Sequence, residues 1–136
     1  MSEIVESITL DFCTISLRSD GLIENRFVWD TPYEITTEKL IEINSAIKSM
    51  YKGKRRGIVS IAGLYGSMTP EARQLDMFHD DHTIAIALII QSTSQRLLAN
   101  FYFRVKKAPF PVKFFKTEAE AAEWLYQQCR QAKMAS

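Results

Sequence analysis

The stretch Thr83–Ile90, TIAIALII, carries one hydroxyl and no charge. A run this short and this apolar suits a β-strand buried on both faces, because it is shorter than an ordinary helix and offers no side to water. Gly57–Ala62, GIVSIA, has the same character. Two doubly buried strands require cover on both sides of a sheet. Parallel neighbours also need crossover connections, which right-handed geometry lays across the faces. Ile58 and Ile84 are therefore expected side by side in co-directional strands, with the rest of the chain supplying helices on either side.

The remaining elements follow from periodicity and punctuation. Ser7–Leu17 is rich in Ile, Thr, Phe and Leu at period two, but its apolar set changes parity from Ile8, Leu10 and Phe12 to Cys13, Ile15 and Leu17. That change signals a bulge or burial on both faces. Ser19-Asp20-Gly21 marks a turn and Leu22–Trp29 a second strand, so the chain opens with a hairpin. After a loop over Asp30–Ile35, Thr36 or Thr37 caps a helix with Leu40, Ile41, Ile43, Ile47 and Met50 on its stripe, ended by Lys52-Gly53-Lys54. The loop Gly63–Met68 leads to Thr69-Pro70-Glu71, where a cap and an N1 proline open another helix. Ser92 or Ser94 caps a helix through about Arg104, with Leu97, Leu98, Phe101 and Val105 inward. Pro109 and Pro111 stop that pattern before a strand at Val112–Phe115. Thr117-Glu118-Ala119-Glu120 fits a capping box for a closing helix that packs through Ala121, Ala122, Leu125 and Cys129. This order predicts an α/β fold: an N-terminal β-hairpin, then βα units, in a mostly parallel central sheet flanked by helices. With 136 residues and no linker or repeat, the expectation is one domain over 1–136.

The pattern resembles the SpoIIAA-like, STAS-type proteins, from about Ile8 to Gln128. Within that group it is similar to small uncharacterised bacterial proteins in which a strand like HTIAIALII precedes the capped helix SQRLLANFYF, the segment KAPFPVKFF and a last helix TEAEAAEWL. The tail PVKFFKTEAEAAEWL is the most specific part. The resemblance implies a single SpoIIAA-like domain that regulates by contact with other proteins. In the regulatory members it also implies a phosphorylatable serine, in an Asp-Ser-Ser-Gly-like motif at the start of the helix after the third strand. Here that place reads GLYGSMTPEAR, with Ser67 and Thr69 but without the motif.

Two regions hold candidate functional residues. Ligands in open α/β sheets bind outside the carboxyl ends of the strands, and the expected carboxyl edge gathers Trp29-Asp30-Thr31 and Tyr33 after the second strand, with Tyr65, Ser67, Thr69, Ser92, Ser94, Arg96 and Thr117. Hydroxyls and free amides at helix starts there could hold an anion or a partner's carboxylate, or could each cap their own helix. The aromatic excess from Phe101 to Tyr126 exceeds the needs of one helix stripe, so these rings form a self-association patch, a rim for an apolar ligand or a wide core face; on the first reading Phe101, Tyr102, Phe103 and Phe110 are the candidate oligomer interface.

Other chemistry is set aside on composition and spacing. His79-Asp80-Asp81-His82 falls in the loop entering the N-terminal end of the Thr83 strand, away from the carboxyl edge, and its spacing is no established metal signature. No nucleophile is paired with a base, and no glycine-rich phosphate fingerprint is present. Net charge is +1, and the basic turn Lys52–Arg56 supplies few phosphate contacts, so nucleic acid is not an expected partner. The start MSEIVESITL lacks a basic, apolar leader and no run is long enough to span a membrane. Cys13 and Cys129 are expected as buried thiols in a reducing cytoplasm. The sequence thus predicts a cytoplasmic, cofactor-free, non-enzymatic regulatory or protein-interaction domain, a homo-oligomer, most simply a dimer, with an unidentified protein partner. The rival readings are a module for a small anionic or lipid-like ligand and, more remotely, a metal-dependent enzyme using His79 and His82.

Overall fold

The computed structural model describes residues 3–75, 81–92 and 108–135. In chain order they form β1 (Ile4–Thr9), β2 (Cys13–Arg18), β3 (Ile23–Phe27), β4 (Tyr33–Ile35), α1 (Thr37–Ser49), β5 (Arg56–Ile61), β6 (Gly66–Met68), α2 (Pro70–Arg73), β7 (Thr83–Ile89), β8 (Val112–Phe115) and α3 (Glu118–Ala135). The main sheet runs β1-β2-β3-β5-β7-β8, and β4 and β6 make a second, two-stranded sheet. β1, β2 and β3 are antiparallel, whereas β3, β5, β7 and β8 are parallel neighbours. This is the expected α/β architecture with a largely parallel centre.

The parity change in the first strand turns out to be a chain reversal. The Leu10 amide donates to the Cys13 carbonyl at 2.8 Å, closing a tight turn through Asp11 and Phe12. The opening is thus a three-stranded meander: the Ser7–Leu17 reading joined two strands into one. The turn between β2 and β3 lies where Ser19-Asp20-Gly21 placed it, with Gly21 at φ 89°, a backbone region that glycine occupies without cost.

Two apolar cores lie on opposite faces of the sheet. On one face, Ile43 and Ala46 of α1 and its C-cap residue Met50 meet Cys13, Ile15, Leu17, Ile23 and Ile58. On the other, Ala121 and Leu125 of α3 meet Val59, Ile61, Ala85, Ala87 and Ile89. Successive residues Ile58 and Val59 belong to different cores, so β5 is buried on both faces, as its composition required. Ile41, read from the sequence as part of the α1 stripe, is instead 54% exposed. At about 100° per residue it faces roughly opposite Ile43. β5 and β7 are adjacent and parallel, but Ile58 pairs with Ile86 rather than Ile84; an irregularity after Arg56 leaves Ile84 as an extra residue on β7 and carries the register one residue further along that strand. Gly57 lies directly beneath α3. A Cβ there would come 3.1 Å from Leu125 Cδ2 and 3.3 Å from Leu22 Cδ2.

A chain of alternating charges orients α3 on the sheet. Arg18 bridges Asp20 at 2.7 Å and Glu24 at 3.6 Å, and Arg26 bridges Glu24 at 3.2 Å and Glu118 at 2.7 Å. The Tyr126 hydroxyl donates to Asp20, so α3 is held near its first turn and again two turns on. Burial acts to raise the Asp20 carboxyl, but hydrogen bonds from Tyr126, Arg18 and the Leu22 amide outweigh it and leave its pKa below the ordinary 3.8. The bond to Asp20, helped by burial, lifts the Tyr126 hydroxyl above its ordinary 10.0.

The sign of each shift sets a pH window. Asp20 contributes stability above its unfolded pKa and loses it as pH falls through the lower folded value. Tyr126 contributes below its unfolded pKa and loses it as pH rises through the higher one. The pair is therefore fully stabilising only between about pH 4 and pH 10. Asp20→Asn should lower neutral-pH stability by about 1–3 kcal/mol and flatten the acid slope measured by urea denaturation at several pH values. An acid slope unchanged from the wild type would contradict this assignment.

Candidate functional site

The parallel strands β3 and β5 end at Phe27 and Ile61, and a layer specific to this end of the molecule is built just beyond them. Phe12, Phe27 and Tyr33 stack with ring centroids 5.0–6.1 Å apart and planes within 13°. The Tyr33 hydroxyl accepts from the Gly63 amide at 3.1 Å. Gly63 sits against the Val28 carbonyl, and Gly66 against the Tyr33 ring, so closely that a Cβ at either position would overlap those atoms. The Leu64 amide donates to the Trp29 carbonyl at 2.8 Å, and the Tyr33 amide to the Tyr65 carbonyl at 3.3 Å. These bonds lead into the pairing of Tyr33, Glu34 and Ile35 with Gly66, Ser67 and Met68.

Period two then divides the side chains of this small sheet. Ile35 is buried and Tyr33 turns into the aromatic stack, so Glu34 between them points outward. Ser67 on the paired strand, and Tyr65 just ahead of it and two residues from Ser67, are likewise exposed. The outer surface at the carboxyl edge therefore presents Tyr65, 58% exposed, beside Glu34 and Ser67, with Trp29, 46% exposed, on the adjoining segment.

Of the edge residues expected from sequence, the hydroxyls are mostly committed to local structure. Thr69 accepts from the Ala72 amide at 3.2 Å and Thr117 from the Glu120 amide at 3.3 Å, as helix caps; Thr36 does the same for Lys39 at 3.3 Å. The Ser67 hydroxyl donates to the Tyr33 carbonyl at 3.4 Å. Ser92 is half-buried directly after β7. Ser94, Arg96, Phe101, Tyr102 and Phe103 lie outside the described residues, as does His79, while Phe110 is half-buried ahead of β8. Sequence reading placed Trp29 at this edge but missed Glu34. The signal for Glu34 was the alternation in Tyr33-Glu34-Ile35 opposite Gly66-Ser67-Met68, too short to stand out as strands.

His82 lies at the opposite, amino-terminal edge, as the loop position implied. There the Arg56 amide donates to the His82 carbonyl at 2.8 Å. The Arg56 guanidinium donates to the Tyr51 and Gly21 carbonyls, each at 3.0 Å, tying three loops together. Tyr51 stacks obliquely on His82 and shares a 2.6 Å hydrogen bond with buried Thr83. Among the described residues no group of three His, Cys, Asp or Glu side chains converges as a metal site would require. Cys13 and Cys129 occupy opposite faces of the sheet and are both free. Burial, with a contribution from Glu42, pushes the Cys13 thiol up to about 11; burial also raises Cys129. Neither is a ready thiolate at neutral pH. A hollow of about 510 Å³ beside α3 is lined by Lys113, Phe115, Trp124 and the carboxylates of Glu120 and Glu123, which oppose an anionic occupant.

Comparison with known proteins now places the chain. The family model described as Domain of unknown function (DUF7793) matches residues 19–128. The chain belongs to this family. The match begins in the turn between β2 and β3 and ends within α3, so it takes in the whole parallel half of the sheet and the carboxyl edge. A crystal structure of an uncharacterised protein of the DUF3478 family with a SpoIIAA-like fold, from Shewanella loihica PV-4, superimposes with a TM-score of 0.54 at 14% identity. The alignment covers 92% of the DUF7793 chain and 95% of the other. The fold is thus SpoIIAA-like, as the strand and helix order had suggested. No curated protein sequence matches the chain. Among the described residues, no helix is long and apolar enough to cross a membrane.

The close approach at Gly63 is the most demanding local constraint at this edge. Gly63→Ala should cost about 3 kcal/mol or more in urea denaturation, because the added methyl meets backbone that has nowhere to move. Gly53→Ala, in open space at φ 75°, should cost only about 1–2 kcal/mol. Equal losses would show that the packing of Gly63 on Val28 is not a constraint.

Proposed function

We propose that the chain is a non-enzymatic regulatory or protein-interaction domain whose working surface is the carboxyl edge formed by Trp29, Tyr65 and the outer side of β4 and β6. The observation that carries this reading is a contrast at that edge. The hydroxyls of Thr36, Thr69 and Thr117 are spent on helix caps, while two large aromatic side chains stay in water. Exposing Trp and Tyr costs hydration free energy, and both residues are enriched in the contact centres of protein interfaces. A turnover site would instead need a reactive group held near a receptive hollow. The SpoIIAA-like fold supports the reading as an analogy of architecture.

Phosphorylation of Ser67 or Thr69 would act at the same surface. A phosphate on Thr69 would replace a hydroxyl that now caps α2, and one on Ser67 would add charge beside Glu34, so either would alter contacts there. Self-association belongs to this reading as one form that contact could take, as does a cytoplasmic location.

Affinity capture from the host's lysate, run in parallel with wild-type chain and a Trp29→Ser/Tyr65→Ser variant of unchanged thermal midpoint, tests the proposal. A protein recovered by the wild type should fall at least about tenfold with the variant, corresponding to a loss of about 1.4 kcal/mol or more. Recovery unaffected by the variant, or a co-purifying small molecule in place of a protein, would overturn it.

A further inference from the structure

Three features of the carboxyl edge coincide, and together they specify the chemistry of what docks there. The first is backbone. Among the described residues β4 and β6 pair only with each other, so each keeps an edge with no strand paired to it, of the kind that can receive an extended chain. The second is the pair of exposed rings, Trp29 and Tyr65, carried on segments bonded directly to the neighbouring loop and strand.

The third is charge. The two stretches that build this edge, residues 27–42 and 63–75, contain the acids Asp30, Glu34, Glu38, Glu42 and Glu71 but only two bases, Lys39 and Arg73. Lys39 is already held by Asp11 and Glu42. Asp30, Glu34, Glu38 and Glu71 are exposed and carry no ion pair among the described residues. Glu34 projects from the same outward side of the small sheet as Tyr65 and Ser67. By contrast, the acids near α3 are partly consumed: Glu24 and Glu118 are both bridged by Arg26.

Resting on the contact reading above, we infer that the occupant of this edge is an extended, arginine-bearing segment of a partner protein, its guanidinium groups lying on Trp29 and Tyr65 and paired with Glu34 and Asp30. Arginine fits better than lysine because its planar group stacks on a ring while its edge donates to a carboxylate, and because it is less strongly hydrated. An extended backbone fits better than a helix because the receiving edges are strands.

The test uses the full chain and a fluorescein-labelled peptide of alternating arginine and serine, followed by anisotropy at physiological salt. The arginine peptide should bind at least about tenfold more tightly than a glutamate-serine peptide, and more tightly than a lysine-serine peptide. Trp29→Ala, Tyr65→Ala and Glu34→Gln should each weaken it several-fold, while Glu123→Gln on α3 should leave it unchanged. Since these positions are exposed, an unchanged thermal midpoint verifies that each variant is folded. Binding that depends on the carboxylates but not on the rings, or equally on Glu123, would reduce the effect to net charge and overturn the inference. A salt-sensitive dimer lost in the same variants would overturn it in favour of a second copy. Should a captured partner contact the chain elsewhere, the inference fails while the interaction reading stands; should no protein be captured, both fail.

Discussion

Parallel pairing of β5, with β3 on one side and β7 on the other, is the constraint on which the rest depends. A strand buried on both faces has no polar side, so it forces one helix onto each face and divides the apolar residues into two cores. It also gives the molecule two chemically distinct ends. All four parallel strands start at one edge and finish at the other, so loops that follow strands cluster away from loops that precede them. The His82 turn goes to one end; Trp29, Tyr65 and the small sheet go to the other.

That division explains how the two ends are used. At the amino-terminal edge the polar groups face inward on one another: Arg56 spans three carbonyls and Tyr51 closes over Thr83 and His82. Such a network satisfies its own donors and acceptors. At the carboxyl edge the inward-facing side is just as tightly made, with stacked rings and two glycines that admit no side chain, but the outward side is left open. A rigid base beneath exposed aromatic and acidic groups suits recognition, because little conformational freedom is lost when something binds.

Much of this was legible in the sequence where local physics decides. The runs at Gly57 and Thr83 announced doubly buried strands, and Thr36, Thr69 and Thr117 cap the helices their positions implied. The turn through Asp11 and Phe12 was not legible, because a lone Asp between apolar residues, with no Gly, Pro or Asn beside it, is weak punctuation for a reversal. β4 and β6 are three residues each, too short for alternation to register. The charge chain from Asp20 to Glu118 joins residues about a hundred positions apart, and its Tyr126 bond spans 106. Only the completed sheet brings those groups together. The candidate interface at Phe101, Tyr102 and Phe103 lies outside the described residues, while Tyr65 of the expected edge group emerges 58% exposed.

The central claim is that contact with a partner occurs at the end where the parallel strands finish. Amide hydrogen exchange of the chain, alone and saturated with its captured partner, tests this most directly. The account predicts new protection confined to residues 29–35 and 63–69. Protection concentrated instead at residues 51–56 and 81–84, with the former segments unchanged, would contradict it.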